Sequence, residues 1–340
     1  MKNIYGITFE ELEEYFVKNN DKKFKATQVY NWVYKKRINS FEEMRNVSKE
    51  TINTMKSNFY FDRLEIIDKR TDKDTAKYLF RLNDNEKVEA VVMYHDYGTS
   101  VCISTQVGCN MGCKFCESGR LKKKRNLEVH EMVLQILMIE EDIGERLSHV
   151  VLMGIGEPFD NYDNVIKFID IINCGKGIDI GSRHITVSTC GIVPKIKEFT
   201  NYDKQVNLAI SLHAPNNQIR NSIMNINKAY PIEEVISAIK DYIKKTNRRV
   251  TFEYIMLKDV NDTSECAKEL AKLLRGINCY VNLIPYNETS HIEYKKSNQD
   301  TIMNFYDILK KNKIGVTIRR EFGSKLNAAC GQLRSHYEEE

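Results

Sequence analysis

From about residue 100 onward, short β-rich runs alternate with amphipathic helical stretches. The predicted strands are residues 101–107, 149–153, 184–188, 206–212, 250–256, 280–284 and 315–319. The predicted helices are residues 129–141, 164–172, 232–245, 264–274 and 301–311. Repeated strand–helix–strand units favour parallel sheets, and their right-handed crossovers curl such a sheet into a barrel. The sequence therefore predicts an α/β fold with a full or partial βα barrel.

Two other regions flank this predicted barrel. Residues 1 to about 60 carry apolar side chains at helical spacing. Residues 78–82 and 88–93 are strand-like and flank Asn83-Asp84-Asn85, which predicts a hairpin. We therefore expect an N-terminal helical accessory domain with short strands over 1–98, the barrel over 99–334 and a C-terminal tail over 335–340.

Composition excludes several classes of protein. The 340-residue chain is 42% hydrophobic and 29% charged, which is typical of soluble globular proteins and excludes a disordered or fibrous chain. No apolar run reaches about 18 residues, so we expect no transmembrane helix. The N-terminus, Met1-Lys2-Asn3-Ile4-Tyr5-Gly6, lacks the apolar core of a signal peptide. We therefore expect a cytoplasmic protein that does not contact a membrane.

Basic residues are concentrated in two segments, although the formal net charge is only +4. Residues 22–37 contain six basic residues and no acid, and residues 122–125 read Lys-Lys-Lys-Arg. Such clusters on a nearly neutral chain favour local contact with a polyanion. A solvated helix face explains either cluster alone equally well.

Three of the nine cysteines are crowded together. Cys109, Cys113 and Cys116 have Cys-x3-Cys-x2-Cys spacing on a glycine-containing loop after the first predicted barrel strand. Three thiolates this close can hold one compact metal centre. A structural zinc would want a fourth ligand and usually a second Cys-x2-Cys pair, which the sequence lacks. A four-iron cluster on three thiolates leaves one iron open to another ligand.

The cysteine spacing, with an aromatic residue before the third cysteine, resembles the radical S-adenosylmethionine (SAM) superfamily. There a 4Fe–4S cluster binds SAM through its open iron, and reduction cleaves SAM to a 5′-deoxyadenosyl radical. Further motifs resemble the RlmN/Cfr family, which methylates an adenine of 23S ribosomal RNA. These motifs occupy residues 154–158, 188–191, 211–215, 282–287 and 328–333. The resemblance extends from the N-terminal segment to about residue 334.

This resemblance implies the cofactors and the residues that hold them. One 4Fe–4S cluster is expected on Cys109, Cys113 and Cys116. The residues implied to contact SAM are Gly156, Glu157, Ser188, Ser211, Leu212, His213 and Asn287. Two SAM molecules are expected per turnover, one as methyl donor and one as radical source. An electron donor such as flavodoxin or ferredoxin is expected as a partner.

The resemblance also implies three catalytic residues, Glu89, Cys102 and Cys330. Cys330 becomes S-methylcysteine, and the radical removes a hydrogen atom from that methyl group. The resulting methylene radical adds to the adenine carbon. Cys102 then attacks Cys330 and releases the product through a transient disulfide, which a cellular thiol reduces. Glu89 matches the general base that removes the ring proton. The alternative for Glu89 is a solvent-exposed carboxylate on an edge strand. Without the resemblance, Cys330 would be an ordinary core or surface thiol.

The expected substrate is 23S rRNA, free or in a pre-ribosomal particle, while tRNA is left open as a second substrate. The target adenine must be splayed out of the folded RNA before an enzyme can reach it. Segment 22–37 also carries Phe24, Tyr30, Trp32 and Tyr34, so we predict that it contacts RNA phosphates with aromatic support. We expect a monomer.

Two features leave the substrate preference open. Glu117 and the lysines of segment 122–125 replace smaller residues of the family pattern. Residues 106–109, 156–158 and 209–213 resemble members that methylate carbon 2, whereas 316–319 and 322–323 resemble members that methylate carbon 8 and confer antibiotic resistance. We expect methylation at carbon 2.

Two other functions remain as alternatives. A radical SAM enzyme that acts on a peptide or small molecule would not depend on Cys102 or Cys330. A non-catalytic RNA-binding protein with a structural metal would contain zinc alone.

Overall fold

A computed structural model describes residues 1–289 and 291–319 of the chain. The predicted catalytic residue Cys330 and the predicted tail 335–340 lie outside the described residues.

The N-terminal segment is helical, as predicted. It comprises β1 (Lys2–Asn3), α1 (Phe9–Lys18), α2 (Lys25–Tyr30), which continues as a π-helix over Asn31–Lys35, α3 (Lys49–Asn58) and β2 (Phe59–Tyr60). Helix α1 begins with a capping box, in which Thr8 accepts from the Glu11 backbone N–H and the Glu11 carboxylate accepts from that of Thr8. Strands β1 and β2 pair in parallel, so the two ends of this segment lie side by side.

The remaining strands form one large mixed sheet and a two-stranded ribbon. They are β3 (Glu65–Asp72), β4 (Thr75–Arg81), β5 (Lys87–His95), β6 (Gly98–Cys102), β7 (Gln106–Val107), β8 (Arg125–Asn126), β9 (His149–Leu152), β10 (Ile185–Thr189), β11 (Asn207–Ser211), β12 (Val250–Met256), β13 (Cys279–Pro285) and β14 (Gly315–Ile318). The spatial order of the large sheet is β14-β13-β12-β11-β10-β9-β6-β5-β4-β3. Strands β7 and β8 form the ribbon.

The strands from β6 to β14 in the large sheet are parallel, because helices carry the chain back between them. The helices are α4 (Val129–Ile143), α5 (Tyr162–Asn173), α6 (Val193–Phe199), α7 (Asn217–Ile223), α8 (Ile232–Thr246), α9 (Ser264–Leu273) and α10 (Gln299–Lys311). Helices α6 and α7 are absent from the sequence prediction because each has only seven residues, too few to show a clear helical period. The parallel carboxyl ends all meet at one edge of the sheet.

Helix α4 is buried along most of its length, because the N-terminal segment covers one side and the sheet the other. On the side that faces the N-terminal segment, Arg37 donates to the Leu137 carbonyl. On the side that faces the sheet, the Gln135 side chain accepts from the Ser104 backbone N–H. One hydrophobic core therefore spans the N-terminal helices and the barrel. Strand β5 also pairs antiparallel with β6 across the predicted domain boundary at residue 98. The position of this boundary stays a prediction.

The predicted strand 101–107 is wrong in one respect, because it is divided in two. Strand β6 ends at Cys102, and β7 begins at Gln106 and pairs with β8 instead. Between them Ser104 donates to the Glu89 carbonyl at 2.6 Å, and the Thr105 N–H donates to the Ile155 carbonyl at 2.9 Å. The local sequence of residues 101–107 does not reveal these hydrogen bonds, because their partners lie in distant segments. No helix in the described parts of the chain has the length and apolar character needed to cross a bilayer.

Candidate cofactor site at the carboxyl ends of the strands

A pocket opens at the carboxyl ends of the parallel strands and encloses about 900 Å³, its open mouth included. Its wall contains most of the predicted site residues. These are Cys109, Cys113, Cys116, Gly156, Glu157, Ser188, Ser211 and His213. Carboxyl ends of parallel strands are where barrels of this kind bind their ligands. The tertiary structure thus gathers residues from four separate segments at one place.

The cysteine loop is held by close backbone contacts. Cys116 N–H donates to the Cys113 carbonyl at 3.2 Å, and Cys109 N–H donates to the Leu121 carbonyl at 2.9 Å. Gly119 permits this turn, because a Cβ atom there would lie 2.7 Å from the Cys113 carbonyl oxygen. The loop therefore directs three thiols into one pocket.

The three thiols suit an iron–sulfur cluster better than a single ion. Burial raises the pKa of Cys109 to about 12 and that of Cys113 well above its usual value, so metal binding must displace their protons. Within residues 1–289 and 291–319, no three Cys, His, Asp or Glu side chains stand ready around a single metal ion. A four-iron cluster is larger than one ion, so its ligands need not converge on one point. The donor set, three sulfurs on one loop, fits the cluster.

Glu157 is a buried carboxylate at the pocket wall, after the turn that Gly156 makes possible. Gly156 has φ +111°, and a Cβ atom there would lie 2.6 Å from Gln106 Cβ. Glu157 Oε1 accepts from Phe159 N–H at 3.0 Å, and Oε2 accepts from Cys190 N–H at 2.8 Å. Burial raises the pKa of Glu157, although these N–H groups oppose the rise. The Thr189 and Cys190 side chains also donate to this carboxylate, so a ligand donor would share it with them.

Ser188, Ser211 and His213 come from the ends of two adjacent strands. The hydroxyl oxygens of Ser188 and Ser211 are 3.5 Å apart. His213 has φ +57°, and its Nδ1 accepts from Ile255 N–H at 3.0 Å. Burial lowers the pKa of His213 to about 3, so its ring is neutral. With Nδ1 as acceptor, Nε2 carries the proton and can donate.

Two residues predicted to contact SAM do not line the pocket. The Leu212 side chain is buried in the main hydrophobic core. Asn287 is partly exposed beyond the end of β13. The neighbours of Leu212 in the chain, Ser211 and His213, do line the pocket, so Leu212 could contact a ligand only through its backbone.

Glu89 and Cys102 lie on the same inner face of the sheet. Cys102, at the carboxyl end of β6, pairs with Val91 of β5, and Glu89 is two residues from Val91 on the same face. Cys102 packs with Val91 and Ile155. Ile155 lies three residues after the end of β9, and that end of the strand lines the pocket. Glu89 is completely buried, and its Oε1 lies 2.9 Å from Lys77 Nζ. The edge-strand, solvent-exposed alternative for Glu89 therefore does not hold.

Comparison with known proteins identifies the family. The family model "Radical SAM superfamily" matches residues 103–274, and "Ribosomal RNA large subunit methyltransferase N-terminal domain" matches residues 2–60. A protein of Acholeplasma laidlawii (strain PG-8A), named "Probable dual-specificity RNA methyltransferase RlmN", is 55% identical over 333 residues, covering 98% of this chain and 98% of that protein. The chain belongs to the RlmN family.

Other relatives agree with this membership. An RlmN of Enterococcus faecalis (strain ATCC 700802 / V583), carrying the same printed name, is 54% identical over 343 residues and covers 98% of this chain and 96% of its own. The crystal structure of a radical SAM methyltransferase from Sphaerobacter thermophilus is 37% identical, with a TM-score of 0.91 over 98% of this chain and 99% of that chain. The predicted fold class is confirmed.

Most basic side chains of segment 22–37 make contacts within this RlmN-family chain. Lys23 pairs with Glu13 at 2.9 Å, and Lys25 pairs with Asp21 at 2.6 Å. Arg37 pairs with Glu140, Lys35 donates to the Gly175 carbonyl, and Lys36 lies over the Trp32 ring. Tyr30 and Tyr34 are buried, so the prediction that they support RNA contacts is wrong. The Tyr30 ring packs against Phe9 of α1 and the Tyr34 ring against Tyr5, so both rings are part of the hydrophobic core.

The second basic segment is also largely neutralised. Lys123 pairs with Asp160 at 2.7 Å, Lys124 with Glu86 at 2.8 Å, and Arg125 with Asp84 at 2.6 Å. These acids belong to segments distant in sequence. The added positive charge near the cysteine loop is therefore smaller than the sequence suggests.

Sequence reasoning missed three residues of the site. Glu253 of β12 lines the pocket, accepts from Asn282 at 2.8 Å and has a pKa raised by burial. Its signal was available, since a carboxylate interrupts the apolar run 250–256. Cys190 also lines the pocket. Arg220 of α7 lies behind the pocket, completely buried, and no local pattern marks it.

Proposed function

We propose that this chain methylates carbon 2 of an adenine in 23S rRNA by radical SAM chemistry. One observation carries this proposal. Glu89 and Cys102 lie on the inner face of the sheet beside a pocket that holds three cysteines of the superfamily spacing. The relatives' printed name, dual-specificity RNA methyltransferase, supports RNA as the substrate.

The cysteine loop would hold one 4Fe–4S cluster through Cys109, Cys113 and Cys116. The cluster and SAM, when bound, supply the radical that starts the reaction. Glu157 would accept from the SAM ammonium group, while Ser188, Ser211 and His213 would donate to its polar edges.

Two thiols of the chain would carry the methyl group and release the product. Cys330, which lies outside the described residues, would bear the methyl group as S-methylcysteine. Arg319 lines the pocket, and the 11 residues from there to Cys330 can span at most roughly 36–40 Å. Arg319 also lines a second cleft together with Ser100, two residues before Cys102, and we propose that Cys330 and Cys102 form the transient disulfide.

Glu89 would act as the base that removes the proton from the ring carbon. Its carboxylate faces the same side of the sheet as Cys102, which is the side on which a base bound to that thiol would lie. The Lys77 ammonium at 2.9 Å compensates its negative charge in this setting.

The decisive experiment is anaerobic reconstitution with iron and sulfide, followed by reaction with a 23S rRNA fragment, SAM, an electron donor and a thiol reductant. Mass spectrometry of the nucleosides should place the new methyl group on adenine carbon 2, and a parallel reaction with tRNA tests the second substrate. Cys330→Ala should yield no methylated base. Cys102→Ala should accumulate RNA covalently attached to the protein, because the attacking thiolate is missing.

The matched control is Cys279→Ala, at the amino end of β13 and away from the pocket, which should retain activity. Methylation at carbon 8 would refute the assigned regiochemistry. Zinc as the only bound metal, or no cleavage of SAM by the reconstituted protein, would refute the radical SAM assignment to this site.

A further inference from the structure

Arg220 is a completely buried guanidinium that bonds only to neutral oxygens among the described residues. It donates from Nε to the Leu212 carbonyl at 3.1 Å and from Nη2 to the Ser211 carbonyl at 3.2 Å. It also donates to the Cys190 carbonyl at 2.6 Å and to Asn227 Oδ1 at 2.9 Å. A buried charge is retained in a protein only when its surroundings compensate it.

A hydrogen-bonded path from Arg220 to a carboxylate runs through the Cys190 backbone. Its N–H donates to Glu157 Oε2 at 2.8 Å, and its carbonyl accepts from Arg220 Nη2 at 2.6 Å. Residue Cys190 thus joins a carboxylate at one end to a guanidinium at the other. Polar backbone groups oriented between opposite charges strengthen both hydrogen bonds in a low-dielectric interior.

Arg220 also joins the two strand ends that carry the predicted SAM contacts. The Cys190 carbonyl follows β10, where Ser188 lies. Ser211 ends β11, and Leu212 follows it immediately before His213. The space is tight, because a Cβ atom on Gly191 would lie 3.4 Å from Arg220 Nη2. One side chain therefore fixes the spacing of the two strand ends behind the pocket.

We propose that Arg220 is a positioning residue for SAM, which aligns the ends of β10 and β11 and supplies the counter-charge for Glu157 through Cys190. This inference rests on the proposed function for the cofactor. A second consequence follows from the charge itself. The three thiolates make the cluster anionic, and reduction adds another negative charge, which a fixed buried cation favours.

The test uses the reconstituted holoenzyme and the variants Arg220→Met and Arg220→Lys. SAM affinity is measured by equilibrium dialysis, and the midpoint potential of the cluster by redox titration followed by electron paramagnetic resonance. Arg220→Met should weaken SAM binding about tenfold and make the potential more negative. Arg220→Lys should weaken SAM binding as well, because an ammonium cannot reproduce the planar fork of donors, but should retain most of the potential.

The matched control is Arg248→Met. Arg248 also donates to backbone carbonyls, those of Asp203 and Lys204, but at the amino end of β12. It should leave SAM affinity and potential unchanged, which separates positioning from a general loss of stability. If Arg220→Met does not take up iron, the SAM affinity of Arg220→Lys decides the question.

Each outcome has a distinct meaning. If the wild-type protein binds no SAM, the proposed function fails. If the wild-type protein binds SAM and every iron-loaded Arg220 variant binds it within twofold of that affinity, only the role of Arg220 is overturned.

Discussion

We expect the substitution His213→Asn to remove a pH dependence of stability that this single buried ring creates. Burial lowers the pKa of His213 from 6.5 to about 3. Below pH 6.5 the unfolded chain therefore binds a proton that the folded chain excludes. The free energy of unfolding must then fall as the pH decreases from about 6.5 towards 3. Above pH 6.5 the ring is neutral in both states, so it no longer makes stability depend on pH.

The size of the effect follows from the two pKa values. Between pH 7 and pH 5, the unfolded ring becomes almost fully protonated while the folded ring stays neutral, which costs about 2 kcal/mol. Asparagine suits the position, because it tolerates the left-handed φ of +57° and its Oδ1 can accept from Ile255 N–H in place of Nδ1. The variant should therefore fold without this titration.

The assay is urea unfolding of the cluster-free protein at pH 7 and pH 5 in the presence of a thiol reductant. Between these pH values the wild-type protein should lose about 2 kcal/mol more stability than His213→Asn. His184→Asn is the control, because His184 is exposed at the amino end of β10, and it should behave much like the wild type. Equal pH dependence in the wild type and His213→Asn would refute the reasoning.

Two further predictions concern the backbone and a buried charge. Gly156→Ala should lower the free energy of unfolding by about 1–3 kcal/mol in urea titrations, because its Cβ would lie 2.6 Å from Gln106 Cβ. The control is Gly144→Ala, which also has a positive φ but open space around it and should lose less stability. Equal losses in the two variants would show that the contact with Gln106 does not matter. Lys77→Met should cost about 3–5 kcal/mol by leaving Glu89 charged and buried, whereas Lys77→Met with Glu89→Gln should cost clearly less. A double-mutant cycle by urea unfolding measures the coupling, and additive losses would show that the two side chains do not interact.

The local sequence pattern was sufficient for the architecture and for the cysteine loop. Strand–helix alternation is a short-range periodicity, and the spacing of Cys109, Cys113 and Cys116 lies within a single loop, so both are visible without knowledge of the fold. The carboxylate of Glu253 within an apolar strand was an equally local signal. Cys330 and the other residues named only from family motifs needed the resemblance.

Only the tertiary structure decided the charge and surroundings of the site. The lysines after the cysteine loop meet acids from distant segments, as in the pair of Lys124 with Glu86, and Arg220 is enclosed by carbonyls of two other loops. Nothing in the local sequence records such partners. Burial and electrostatic compensation depend on which segments meet in space, and that is set by packing of the whole sheet and its helices.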